Sequence, residues 1–207
     1  MEIECITAGA TQSNCYIVNT DKVQLIVDPA LFNDELRAYI DAAPNKERYI
    51  LLTHRHFDHV GGAADIKEYC AAKIVIHNVD AQGLYDTEFS MGDVFGIKHK
   101  PTSADILVDD GQQLNLGDLN VKVLHTPGHT AGSVCFIIDR IIFTGDTLFC
   151  GTIGRYDFPS GDFKTILKSI ERLVKLSGDY DLYPGHMDCT TLQYEREHNP
   201  YIVGRIL

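Results

Sequence analysis

The segment Thr53-His54-Arg55-His56-Phe57-Asp58-His59 constrains this chain more than any other stretch. Three imidazoles and a carboxylate, all able to bind a metal, are crowded between His54 and His59. They follow Tyr49–Thr53, a short apolar run that reads as a strand. If extended backbone persists through His54 and His56, both side chains point to the same side. A turn then brings Asp58 and His59 round. Imidazole with carboxylate suits zinc, iron or manganese better than a purely oxygen-loving cation. A solvated polar loop is the alternative reading, and this spacing followed by Gly61-Gly62 weighs strongly against it.

This stretch cannot complete two metal sites alone, and three later stretches offer more donors. His129 lies in His125-Thr126-Pro127-Gly128-His129, where Pro127-Gly128 forces a turn after a strand. Asp146 follows the apolar run Ile141–Thr144 and a glycine. His186 follows Tyr183-Pro184-Gly185, again after a strand. Four strand ends thus converge as donors, which is how a layered scaffold builds a site on one rim.

The remaining pattern supplies that scaffold. Cys15–Val18, Gln24–Val27, Lys73–His77, Gln113–Leu116, Val121–Leu124, Ser133–Ile138 and Tyr180–Tyr183 read as further strands. Asn33–Ala43, Ala63–Ala72 and Thr190–Glu197 read as helices. Asp162 caps a helix over Phe163–Leu176, with Ile166, Leu167, Ile170, Leu173 and Val174 on one face, and Gly178 ends it. Residues 82–105 show no clear period and are expected to form a long connection along a cleft. Two strand-rich halves, each with helices, point to two packed sheets flanked by helices. At 207 residues and 44% hydrophobic, one domain over 1–207 with a substantial core is the expectation.

The formal net charge of -11 argues against a nucleic-acid partner, which would call for basic patches. It does not exclude an anionic small molecule, because bound cations set the local field. No apolar run approaches the ~18 residues of a membrane helix, and the opening Met1–Asn14 does not read as a signal peptide. The six cysteines show no CxxC spacing, so reduced thiols in a cytoplasmic protein are expected. Of the other histidines, His125 is open between hydrogen bonding to a ligand and plain packing. His77 and His198 are expected to be structural and His99 solvated.

Taken together, HxHxDH, the histidine of TPGHT, the aspartate of TGD and the histidine of PGH resemble the metallo-β-lactamase superfamily, in the family's order and over nearly the whole chain. The resemblance implies an α/β fold, an αββα four-layer sandwich with a binuclear site at the sheet edge. It assigns His54, His56 and His129 to a first metal and Asp58, His59 and His186 to a second, with Asp146 bridging. Two divalent ions, zinc before iron or manganese, would then present a bridging hydroxide to a carbonyl carbon. Asp58 would orient that hydroxide and carry a proton.

Within the superfamily, Asp58-His59 disfavours the true β-lactamase branch, and His56 disfavours the flavodiiron type, which has Glu there. The glyoxalase II branch is the best match. It hydrolyses thioesters of glutathione with 2-hydroxy acids, such as S-lactoylglutathione. Asp146–Phe149 and Gly154-Arg155-Tyr156 resemble its substrate loop, with Arg155 where that branch has a lysine touching glutathione. Arg155 and Tyr156 are therefore candidate substrate contacts. Only 21 residues follow His186, so the chain looks like the short hydrolases lacking the C-terminal helical domain of full-length glyoxalase II. The second reading is a persulfide dioxygenase, in which one Fe(II) would use His54, His129 and Asp146. Gly154–Phe158 and Glu195–Pro200 resemble that branch, whereas Phe57 replaces its usual alanine. A ribonuclease or lactonase of the same fold comes third.

Overall fold

The computed structural model describes residues 1–204. The first sheet is laid down in chain order, β1 Glu2–Ala8, β2 Ser13–Asn19, β3 Val23–Val27, β4 Glu47–Leu51, β5 Lys73–His77 and β6 Ile106–Val108. β1 to β3 pair antiparallel, and β3 to β6 run parallel. Parallel neighbours need a crossover. Helix α1 Asp34–Asp41 supplies the first, and α2 Phe57–Val60 with α3 Ala63–Cys70 the second. A 3-10 segment at Asn78–Leu84 and the single turn α4 Gly92–Phe95 lie on the third.

The second sheet contains β7 Gln113–Leu116, β8 Leu119–His125, β9 Val134–Ile138 and β10 Ile141–Gly145. A small ribbon follows, β11 Leu148–Phe149 with β12 Thr152–Ile153, and then α5 Phe163–Val174. β13 Asp181–Pro184 pairs parallel with β10, and β14 Thr190–Thr191 and α6 Leu192–His198 complete the half. The sheet order is β14-β13-β10-β9-β8-β7.

Strand periodicity sorts the core into three apolar seams. Tyr16, Val18, Val23, Leu25, Leu51 and Val75 from the first sheet meet Val121, Val123, Phe136 and Phe143 from the second. Alternate residues Ile17, Ile26, Ile50, Ile74 and Ile76 point the other way, onto Leu36, Ile40 and Ile66 of α1 and α3. On the second sheet, Cys135, Ile137 and Ile142 point out onto Ile166, Ile170 and Leu173 of α5 and Leu192 of α6. Successive side chains of a strand face opposite sides, so sheets buried on both faces read as continuous apolar runs. The result is helix, sheet, sheet, helix, the αββα sandwich. Asn33 and Asp162 cap α1 and α5 through their side chains, each capping bond being worth about 1 kcal/mol.

Three features differ from the sequence reading. β1 was not expected, because it is an edge strand with Glu2 and Glu4 exposed and only Ile6 buried. The last helix starts at Leu192, since Thr190 and Thr191 first pair with β13. Residues 82–105 form the expected long connection, broken only by the end of the 3-10 segment and α4, but it leads into β6, a strand not expected from the sequence. Among the described residues no helix is long and apolar enough to cross a membrane.

Candidate metal centre

Strand direction explains the convergence of the donors. β8, β10 and β13 run the same way, since β8 and β10 each pair antiparallel with β9 and β13 is parallel to β10. Their C-terminal ends therefore open on one rim, with His129, Asp146 and His186 just beyond. The end of β4 is tied to that rim by Val134 N donating to Thr53 O at 2.8 Å. His54 follows in a bend and His56 on extended backbone, and the single turn α2 carries Asp58 and His59.

Two triads result. In His54, His56 and His129, and again in Asp58, His59 and His186, one candidate donor atom per residue lies within 4.8 Å of each of the others. Asp146 sits between them. Its Oδ1 is 3.4 Å from His59 Nε2, and its Oδ2 is 3.4 Å from His129 Nε2 and 3.5 Å from His186 Nε2. His54, His56, His59 and His129 are buried, whereas Asp58, Asp146 and His186 border the opening.

The donor set fits divalent metal. His54 Nε2, His56 Nε2, His59 Nε2 and Asp146 Oδ1 are buried without a hydrogen-bond partner. Orphaned buried polar atoms are costly and rare, and four gathered here call for a ligand that accepts lone pairs. The close pair His56 Nδ1 and His129 Nε2, at 2.8 Å, has the geometry of two nitrogens aimed at one point. Gly185 leaves room for this approach, because a Cβ there would lie 2.3 Å from Asp146 Oδ1 and 2.7 Å from His59 Cε1.

The electrostatics agree. Burial, reinforced by neighbouring imidazoles, lowers the pKa of His54 well below its usual value. Burial and His129 do the same at His56. Burial also lowers His129. All three therefore stand neutral, the form that ligates. Burial opposes charge on His59, but Asp146, Asp58 and Asp28 outweigh it and raise its pKa to about 9. His186 is raised to about 11, the pull of Asp146 and Asp58 again overcoming burial. Against the cost of burial, His59 and His186 hold Asp146 at about 2 and drive Asp58 well below the carboxylate range. Two carboxylates thus remain ionised at the mouth of the site and draw positive charge towards them.

Two contributors were not singled out in the sequence. Asp28, at the end of β3, accepts from Thr53 N at 2.7 Å, Thr53 Oγ1 at 2.5 Å and His59 Nδ1 at 3.0 Å. It holds His59 with Nε2 towards the centre, the role carboxylates commonly play behind metal-binding histidines. Its signal was a charged residue placed between the apolar run Leu25–Val27 and Pro29. Ser13 Oγ donates to Asp58 Oδ2 at 3.1 Å, and nothing in the sequence marked it.

The centre opens into a cavity of about 490 Å³. His56, Asp58, His129, Asp146 and His186 form its floor, and Met91, Phe95, Phe149, Phe158 and Met187 its walls. Met91 and Phe95 come from the 82–105 connection, which therefore borders the cleft. Arg155 lines the cavity, but its guanidinium already donates twice to Asp157 at 2.9 Å and lies 4.0 Å over the Phe158 ring. Tyr156 packs on Phe163, ring centroids 4.7 Å apart, and is not among the residues lining the cavity. His125 donates through Nε2 to Ala131 O at 2.9 Å and stacks on His77. His198 stacks on Tyr194. His99, expected in solvent, is half-buried and 3.0 Å from Ser90 Oγ.

Comparison with known proteins agrees with this geometry. Residues 8–186 match the model of the metallo-beta-lactamase superfamily. The chain is similar to the hydroxyacylglutathione hydrolase GloC of Haemophilus influenzae, with 35% identity over 98% of this chain and 98% of that protein. Among solved structures it is similar to the BLEG-1 B3 metallo-beta-lactamase, with a TM-score of 0.91 and 30% identity, covering 98% of this chain and 100% of that one. It is also similar to TTHA1623 in a di-iron-bound form, with a TM-score of 0.85 and 34% identity, covering 96% and 99%. The chain belongs to the metallo-beta-lactamase superfamily, in its glyoxalase II-like branch, and is a metal-dependent hydrolase.

Proposed function

We propose that this protein is a binuclear thioesterase. The observation that carries the reading is the pair of complete donor triads meeting at Asp146 on the floor of the cavity. His54, His56 and His129 would hold one ion and Asp58, His59 and His186 the other, with Asp146 between them. Zinc is the first choice for this donor set, with iron and manganese next. Two such ions supply Lewis acidity towards a carbonyl oxygen and a water of lowered pKa.

The chain's own residues supply the rest. Asp58, held ionised and steered by Ser13 Oγ, accepts a proton from the attacking water and returns it to the leaving thiol. Asp28 fixes the ring of His59, and the Arg155 carbonyl at 2.7 Å fixes His129 through Nδ1. The apolar walls exclude bulk water from the floor, which strengthens every charge interaction there. The partner is a small-molecule thioester. The six cysteines are all unpaired, which supports a reducing, cytoplasmic setting.

A persulfide dioxygenase reading would require only His54, His129 and Asp146, and leaves the triad of Asp58, His59 and His186 without a purpose. Because of the likeness to a B3 metallo-beta-lactamase, the cyclic amide of a β-lactam is the second substrate to assay. Metal stoichiometry by elemental analysis, with S-lactoylglutathione hydrolysis on the same sample, tests the proposal. About two metals per chain with thioester cleavage is the expected result. One iron per chain, no cleavage, and oxygen uptake with glutathione persulfide would overturn it.

A further inference from the structure

We infer that the thioester accepted here carries an uncharged, apolar substituent, and that glutathione's carboxylates are disfavoured at this cleft. The inference rests on the thioesterase reading and specifies its substrate class.

Three observations carry it. First, the cavity walls are mainly aromatic and thioether side chains, Met91, Phe95, Phe149, Phe158 and Met187, with Thr11 and Gln12 as uncharged polar exceptions. Phe95 and Met187 remain 49% and 58% exposed, far more than the core demands of such residues. Phe95 lies against Phe57 at 5.0 Å and edge-on to Phe158 at 6.4 Å between centroids, so the three rings form one continuous apolar wall. Ligand pockets with apolar walls and a few polar groups at one end bind the apolar part of a ligand by area and orient it by the polar end.

Second, among the described residues Arg155 is the one Lys or Arg side chain lining this cavity, and it is engaged. Both donors of its fork that face Asp157 are taken, and Phe158 covers its plane. An incoming carboxylate meets a guanidinium whose charge Asp157 already balances, with only its Nη1–Nη2 edge left to reach. Third, the chain carries a net charge of -11, while Asp58 and Asp146 on the floor are balanced by the ions they would hold. Charge that is not neutralised locally repels a polycarboxylate approaching the mouth.

The acyl group and the thiol carrier can be varied separately to test this. The metal-loaded protein is assayed with lactoyl, butanoyl and hexanoyl thioesters, each on glutathione and on N-acetylcysteamine. The expected result is a kcat/KM for hexanoyl-N-acetylcysteamine about tenfold or more above that for S-lactoylglutathione, the scale on which apolar pockets discriminate small changes of substituent. Phe95→Ser should shrink that ratio about tenfold by raising KM for the hexanoyl substrate. Asp157→Asn, at an exposed position, should free Arg155 and lower KM for S-lactoylglutathione, with little change for the uncharged substrate. S-lactoylglutathione as the best substrate, or a ratio unmoved by Phe95→Ser, overturns the inference and leaves the thioesterase reading standing.

A binding measurement separates the two failures. Calorimetry on the metal-loaded protein compares S-hexyl-N-acetylcysteamine with S-methylglutathione, thioethers that it cannot hydrolyse. Tighter binding of the hexyl compound supports the inference even if no thioester is cleaved, in which case the thioesterase reading alone fails. Tighter binding of S-methylglutathione overturns it.

Discussion

Asp28 and His59 are joined across the end of the first sheet, with His59 Nδ1 donating to Asp28 Oδ2 at 3.0 Å. The same carboxylate takes both donors of Thr53, through N and Oγ1. One buried side chain thus fixes a candidate metal-binding imidazole and the strand end that leads into His54. Asp28→Asn keeps the volume but replaces one acceptor with a donor, so one of these three bonds must be lost. The expected outcome is a ten- to hundredfold loss of metal affinity, the usual effect of removing a partner behind a metal-binding histidine. Competition with a chromogenic chelator measures it, and an unchanged circular dichroism spectrum would show that the fold survives. Undiminished affinity would remove Asp28 from the site.

Gly185 offers a steric test of the same centre. A Cβ at this position meets Asp146 Oδ1 at 2.3 Å and His59 Cε1 at 2.7 Å, both closer than real Cβ contacts allow. Gly185→Ala should therefore push Asp146 away from its place between the triads. Metal content per chain should fall, and hydrolysis with it, while thermal stability of the metal-free protein changes little. Full metal occupancy in the variant would show that Asp146 does not bridge.

The layers of this fold were legible because β2 to β5, β9 and β10 alternate between two apolar faces and so leave unbroken hydrophobic runs. The seven candidate donors were legible because each follows a strand in a short turn carrying Gly, Pro or another donor. What escaped detection has a common cause. Asp28, Ser13 and Asp80 act across 25 or more residues of chain, and single-sequence spacing carries no information at that range. Arg155 illustrates the opposite error of emphasis. Its charge stood out in the sequence, while its pairing with Asp157 depends on a turn geometry that the sequence does not display.

His77 gives the protein a pH dependence outside the metal centre. Its buried ring stacks on His125, centroids 4.3 Å and planes 8° apart, and its Nδ1 accepts from Val79 N at 3.3 Å. Burial, and then the neighbouring His125, lower its pKa below 6.5. The unfolded chain therefore binds this proton at higher pH than the folded one. The neutral ring's contribution is fully present above about pH 6.5 and is lost as pH falls through the lower folded value. The fall in Tm between about pH 7.5 and about pH 5.5 should accordingly be smaller in His77→Asn than in the unaltered protein. The acid sensitivity of the metal centre is common to both and cancels in the comparison. Equal slopes would show that His77 is not responsible.

Arg55 stands between two candidate ligands and organises both walls of the cavity. It is 2% exposed and paired with Asp80, which is fully buried, at 2.9 Å. Its Nε donates to Phe89 O at 2.7 Å, and its Nη2 to Pro159 O and Ser160 Oγ at 2.9 Å. The guanidinium also lies 4.1 Å over the Phe89 ring. These bonds tie the His54–His56 segment to the two loops that carry Met91 and Phe158. Asp80 in turn accepts from Arg55 N, Thr130 Oγ1 and Gly132 N, so the pair is hydrogen-bonded on every side. Removing one partner from such a buried pair strands the other's charge and costs about 3–5 kcal/mol. Asp80→Ala should therefore lower Tm by roughly 6–20 °C for a chain of this size. Arg55→Lys keeps the charge but loses the planar fork, which lysine cannot replace at a site using four of its five N–H donors. It should retain most of the stability while raising KM more than it lowers kcat, because the walls lose their anchor and the metal floor does not. A kcat loss with unchanged KM would instead place the effect of Arg55 on the metal ligands beside it.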